Sequence, residues 1–170
     1  MGYPIIVCFV GGTAGDIVTQ ILDPRELTAE RQKLKKPHLF SNDIEKDLFV
    51  KATDYNSIPS HDYDYHARNN HSILGIACRE MSNAMWAADR FKKLHRPHVW
   101  KEMTAFCGVD TVEAYAQAIL DFGNMLSAYT DNLLYLDDIV NGRAVETLHQ
   151  LGYPTPGQNK YKEWLSKLHD

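Results

Sequence analysis

Six consecutive apolar residues, Ile5-Ile6-Val7-Cys8-Phe9-Val10, run directly into Gly11-Gly12 near the start of the chain. An unbroken β-branched and aromatic run closed by glycine predicts a strand buried on both faces. The same pattern recurs at Ile73-Leu74-Gly75-Ile76-Ala77-Cys78 and, shorter, at Leu133-Leu134-Tyr135-Leu136. Between and after these runs the apolar spacing changes to that of helices. Ile17, Val18, Ile21 and Leu22 follow the first run, and Met81, Met85, Ala88, Phe91 and Leu94 continue out of the second to about His95, before Pro97. Asp110-Thr-Val-Glu113 has the form of a capping box, ahead of an apolar face of Val112, Ala116, Ile119, Phe122 and Leu126. Asn141 is placed to cap a helix carrying Ala144, Val145 and Leu148 that ends at Gly152, and Tyr161, Trp164, Leu165 and Leu168 mark a terminal helix.

Buried strands alternating with helices predict an α/β fold, a short and mostly parallel sheet flanked by helices. Residues 152–159, with Pro154, Pro156 and Gly157, read as a loop, and residues 27–51, basic at Lys33, Lys35 and Lys36, as a mobile flap. No repeat, low-complexity tract or linker divides the chain, so one domain over residues 1–170 is the expectation.

Charge narrows the partners. Eighteen Lys+Arg against 22 Asp+Glu give a formal net charge of −4, which argues against a nucleic-acid or anionic-membrane binder and leaves anionic small molecules open. Three cysteines, Cys8, Cys78 and Cys107, are too few and too scattered for a disulfide framework and read as buried thiols of a reducing compartment. The first apolar run is too short to span a bilayer and has no basic stretch ahead of it. A soluble, cytoplasmic protein is expected.

Three places carry candidate chemistry. Residues 11–15, Gly-Gly-Thr-Ala-Gly, join a buried strand to a helix; a small-residue loop there can aim several backbone N–H groups at one anion, and the helix start adds positive potential. Without a Lys after the last Gly, the loop is not a Walker motif. The competing account is a tight turn with Asp16 capping the helix. The second place is Pro59-Ser60-His61-Asp62-Tyr63-Asp64-Tyr65-His66 with His71 beyond it. His61, near the end of a short strand, suits a general base at neutral pH. A metal held by His61, Asp62, Asp64, His66 and His71 is the competing account, although the spacing matches no standard motif. The third is Arg79-Glu80-Met81-Ser82, where a strand passes into a helix. Ligands gather over the carboxyl ends of strands in open α/β sheets, so Arg79 is placed to reach an anion held by the first loop, with Ser82 as helix cap or second donor. Trp86, Phe91, Trp100 and Trp164 read as core, His95 and His98 as a helix end, and Arg90, Lys92 and Lys93 as a solvated face, with a minor part in guiding an anionic ligand as the alternative.

Taken in order, these pieces resemble the P-loop-like sulfotransferases that use 3′-phosphoadenosine 5′-phosphosulfate. Gly11-Gly12-Thr13 is similar to the loop that holds the 5′-phosphosulfate, Pro59-Ser60-His61 to the strand ending in the catalytic His, and Ile76-Ala77-Cys78-Arg79 to the segment whose Arg binds the 3′-phosphate. Residues 134–139, leading on to Leu151-Gly152, are similar to the family's late strand, acidic turn and helix. The resemblance implies a three-layer P-loop-like fold and transfer of a sulfuryl group to a hydroxyl or amine. Residues Gly11, Gly12, Thr13, Ala14, Gly15, Arg79 and Ser82 would hold the nucleotide, His61 would act as base, and no metal is required. Val10 stands where the family carries Lys, Asp16 would compete with a bound anion, and Ala87 replaces a Ser that often contacts the 3′-phosphate. These departures, in a chain with little length for an acceptor pocket, make a catalytically silent nucleotide-binding or protein-interaction module the alternative.

Overall fold

The computed structural model describes residues 4–26, 54–94 and 97–168. The expected flap over residues 27–51 lies outside the described residues, as does the end of the helix at His95. Strand β1 (Ile5–Cys8) is followed by α1 (Gly15–Leu22), β2 (Ser57–Ser60), α2 (Tyr63–Arg68) and β3 (Ile73–Ala77). Then come α3 (Met81–Leu94), α4 (Pro97–Cys107), α5 (Val112–Ser127), β4 (Leu133–Tyr135), α6 (Leu136–Val140), α7 (Ala144–Gln150) and α8 (Gln158–Leu168). The strands form one parallel sheet in the order β2-β1-β3-β4, with Ile6 opposite both Ile58 and Ile73 and Gly75 opposite Leu133. Pro59, which cannot donate to a ladder, sits in β2 at the sheet's edge, where that loss is tolerated.

Alternate residues of each strand serve opposite faces. Val7, Leu74, Ile76 and Leu134 pack with Ile17, Val18 and Ile21 of α1, Leu148 of α7 and Tyr161 of α8. Ile6, Cys8, Ile58 and Ile73 meet Tyr63 and Tyr65 of α2 and Phe122 of α5. Burial on both sides explains why β1 and β3 read as continuous apolar runs rather than alternating ones. A further cluster, including Ala84, Ala87, Ala88 and Phe91 of α3 and Tyr115, Ala116 and Ile119 of α5, packs those two helices together.

Local starts and stops differ from the expected ones. Thr111, not Asp110, caps α5, its Oγ1 accepting from the Ala114 N–H at 3.1 Å. Asn141 closes α6 rather than opening α7; its Nδ2 donates to the Asp137 carbonyl. Pro97 does more than stop α3, since it occupies the first position of α4, where a missing N–H costs nothing. Among the described residues no helix is long and apolar enough to cross a membrane.

In the order β2-β1-β3-β4 the connection from β1 runs outward to β2 and that from the adjacent β3 runs outward to β4, in opposite directions. That arrangement opens a crevice over the carboxyl ends of β1 and β3, the usual ligand position in open α/β sheets.

Candidate functional site

The glycine-rich loop fills the β1 side of this crevice. Gly12 takes φ +96° and Ala14 φ +66°, the two left-handed residues that reverse the chain into α1. Ala14 is the N-cap and, among the described residues, no side chain caps the helix; Asp16 lies inside the first turn rather than at the cap. The loop is held from within: Thr13 donates both its N–H and its hydroxyl to the Val10 carbonyl, the latter at 2.7 Å. From α5, the buried Tyr115 donates its hydroxyl to the Gly11 carbonyl at 2.6 Å, while its ring stacks on Phe91. The glycines are also needed for space. A Cβ at Gly12 would lie 2.8 Å from Phe91 Cβ, and one at Gly15 within 2.3 Å of three ring atoms of Phe9.

A cleft of about 210 Å³ opens on this loop, lined by Gly12, Ala14, Gly15 and Asp16 and, from α3 and α8, by Arg90 and Trp164. Arg90 was expected on a solvated face. Instead it is half-buried, its guanidinium 5.5 Å from the Trp86 ring, and burial lowers its pKa from the ordinary value. Among the described residues no carboxylate comes within ion-pair distance of it. Val10, at the position where the resemblance expects Lys, is buried in the core and supplies no charge here. Ala87 is buried too, its carbonyl 3.2 Å from where a Cβ of Gly12 would stand.

Phe9 joins this loop to His61. Its ring lies under Gly15 and meets the His61 ring edge-on at 4.6 Å between centroids. Its N–H donates to the Ser60 carbonyl, and its own carbonyl is 2.6 Å from His61 Nδ1. A carbonyl only accepts, so Nδ1 carries the proton and the lone pair of the neutral ring is on Nε2. That is the tautomer a general base at this position requires.

The other members of the His/Asp segment have different partners. Asp62 caps α2 by accepting from the Tyr65 N–H, and Asp64 forms an exposed ion pair with Arg68. His66 is fully buried, with Nε2 3.0 Å from Ser60 Oγ and Nδ1 2.9 Å from His71 Nδ1. Burial, helped by the neighbouring His71, pushes the pKa of His66 down to about 3, so the pair shares a proton between neutral rings at pH 7. Among the described residues no group of three or more His, Cys, Asp or Glu is arranged to hold a metal. Cys8 and Cys78 are buried and Cys107 half-buried; burial raises all three thiols, Cys78 and Cys107 to about 11, which leaves them poor nucleophiles.

Arg79 and Ser82 do not line the glycine-loop cleft. Both are exposed, and Arg79 borders a second cavity of about 310 Å³ between the end of β3 and α5. The start of α3 is occupied by a residue the sequence marks only as part of the acidic turn within residues 134–139. Asp137, buried at the beginning of α6, accepts from the N–H groups of Arg79 (2.9 Å) and Glu80 (3.3 Å) and from Asn83 Nδ2 (2.7 Å). Burial alone would raise its pKa, but these hydrogen bonds outweigh that and hold the carboxyl below its ordinary value.

Asp137→Ala is therefore expected to cost about 1–2 kcal/mol at neutral pH. Because the folded-state pKa is depressed, this contribution is complete above the ordinary carboxylate range and is lost as pH falls through the lowered value. Melting temperatures of wild type and variant, compared from neutral pH into acid, should converge; a gap that persists unchanged would contradict the role.

Fold and site together define an open parallel α/β domain with a glycine-loop cleft beside a tautomer-fixed histidine. Comparison with protein-family models, curated proteins and solved structures finds no match to this chain.

Proposed function

We propose that this chain is a compact sulfotransferase-like domain of three-layer P-loop-like architecture. It binds 3′-phosphoadenosine 5′-phosphosulfate at residues 11–15 and passes the sulfuryl group to a hydroxyl or amine acceptor. The observation that carries the reading is the double role of Phe9, whose ring supports the loop at Gly15 while its carbonyl fixes His61. Anion cradle and candidate base are thus built on one residue.

The cleft suits the phosphosulfate end of such a donor in its chemistry, being lined by glycine-loop backbone, a cation and an indole. The bound nucleotide supplies an activated sulfuryl group. The loop N–H groups and Arg90 hold the phosphosulfate and stabilise charge on the departing bisphosphate, a duty Val10 cannot perform. His61 Nε2 takes the acceptor proton as the new S–O or S–N bond forms and the bridging S–O bond breaks. Arg79 and Ser82, which line no part of this cleft, take no part in holding the nucleotide.

A catalytically silent module on the same scaffold is the second reading, favoured by the carboxylate of Asp16 on the cleft and by the buried Val10. Transfer of sulfur-35 from labelled donor into a broad mixture of hydroxyl and amine acceptors separates the two. Labelled product that depends on His61 supports the enzyme. Nucleotide binding without any transfer supports the silent module.

A further inference from the structure

The larger cavity has a chemistry of its own. Among the described residues Arg79 is its one charged lining residue. The guanidinium carbon lies over the Tyr135 ring, 3.6 Å from its centroid, and among the described residues no carboxylate lies within ion-pair distance of it. Its backbone N–H is held by Asp137, so main chain and side chain are both anchored before any ligand arrives. A guanidinium held over a ring keeps its N–H edge in one plane, the geometry that grips a planar or tetrahedral oxyanion through two hydrogen bonds. Behind it, Ala77 and Leu120 form an apolar wall. α5 can approach that wall because Gly123 has no side chain; a Cβ there would lie 2.8 Å from that of Ala77. At the rim, Ser127 donates its hydroxyl proton to the Asn124 carbonyl, which turns its oxygen into an acceptor.

We propose that this cavity is a binding site for a small molecule that carries a carboxylate or phosphate monoester on an apolar body, separate from the glycine-loop cleft. A volume of about 310 Å³ limits the ligand to a compact one. Neighbouring strands are about 4.8 Å apart, and β3 is two places from β2, so the ligand sits roughly 10 Å or more from the strand leading to His61. It is held without reacting there, and the site stands whether or not the chain transfers sulfuryl groups.

The test is calorimetric titration of the full chain with phenyl phosphate and, separately, with benzoate, each with and without adenosine 3′,5′-bisphosphate. The expected result is saturable binding in the millimolar range or tighter, weakened about tenfold or more by Arg79→Gln and less by Arg79→Lys. Binding should be unchanged by the bisphosphate. Stronger binding of one probe identifies the preferred oxyanion. Absence of saturation by about 10 mM, indifference to Arg79→Gln, or competitive displacement by the bisphosphate would overturn the proposal. The last outcome would assign Arg79 to the nucleotide. Titration without nucleotide keeps this result distinct from failure of the sulfuryl-transfer reading.

Discussion

Gly15→Ala is expected to lower stability by about 3 kcal/mol and the melting temperature by about 6–12 °C, and to abolish nucleotide binding with it. The added methyl would stand within 2.3 Å of three carbon atoms of the Phe9 ring, far inside van der Waals contact. Phe9 has little room to yield. It is almost fully buried, belongs to the cluster that packs α1 onto the sheet, and bears edge-on against His61. Relief must come from moving the start of α1, which displaces the loop and the cleft together. Because Gly15 has helical backbone geometry, the effect is steric and not one of forbidden φ, so a simultaneous Phe9→Leu change should recover part of the lost stability. Calorimetric melting of the single and double variants checks this. A single variant as stable as wild type would show that the loop is more loosely packed than described.

His61→Gln is expected to reduce sulfuryl transfer about 10²- to 10⁴-fold while leaving the affinity for adenosine 3′,5′-bisphosphate unchanged. Glutamine keeps an N–H donor for the Phe9 carbonyl but offers no basic nitrogen for the acceptor proton. His61 does not line the cleft on the glycine loop, so binding and turnover should separate. A pH profile adds a second readout: the limb that reports deprotonation of a base should vanish in the variant. Turnover within about threefold of wild type would remove His61 from the reaction.

Much of the architecture was legible because it rests on local pattern. The buried runs at β1 and β3 and the apolar faces of α3, α5 and α8 all appear where periodicity puts them, since burial on both sides leaves no polar positions to interrupt a strand. Boundaries were less legible. Leu136 reads as the last residue of a strand, yet it begins α6, and the shift brings Asp137 to the start of α3. The two elements meet through contacts between residues 54 or more positions apart, so no local pattern signals them.

The site divides along the same line. Residues 11–15 and His61 could be nominated because glycines after a buried strand, and a histidine at a strand end, have local meaning. Arg90 could not. Among Asp89, Lys92 and Lys93 it looks like one more charge on a wet helix face, and only the packing of α3 across the loop brings it to the cleft. Arg79 was placed correctly at the strand end, but its position over Tyr135 depends on pairing of β3 with β4. The segment from His61 to His71 suggested shared ligands. Folding instead pairs His66 with His71 and Ser60 and gives Asp62 and Asp64 other partners, because α2 turns His66 inward and leaves Asp64 at the surface.

The most direct test of the central claim, a nucleotide donor seated on the glycine loop beside Arg90, is calorimetric titration of wild type and Arg90→Gln with adenosine 3′,5′-bisphosphate. Expected is saturable one-to-one binding, weakened about 10- to 100-fold by the loss of one charge-assisted contact, and a rise of about 5–10 °C in melting temperature at a hundredfold excess over Kd. No heat of binding and no thermal shift at millimolar bisphosphate, or equal affinity in the two proteins, would contradict it.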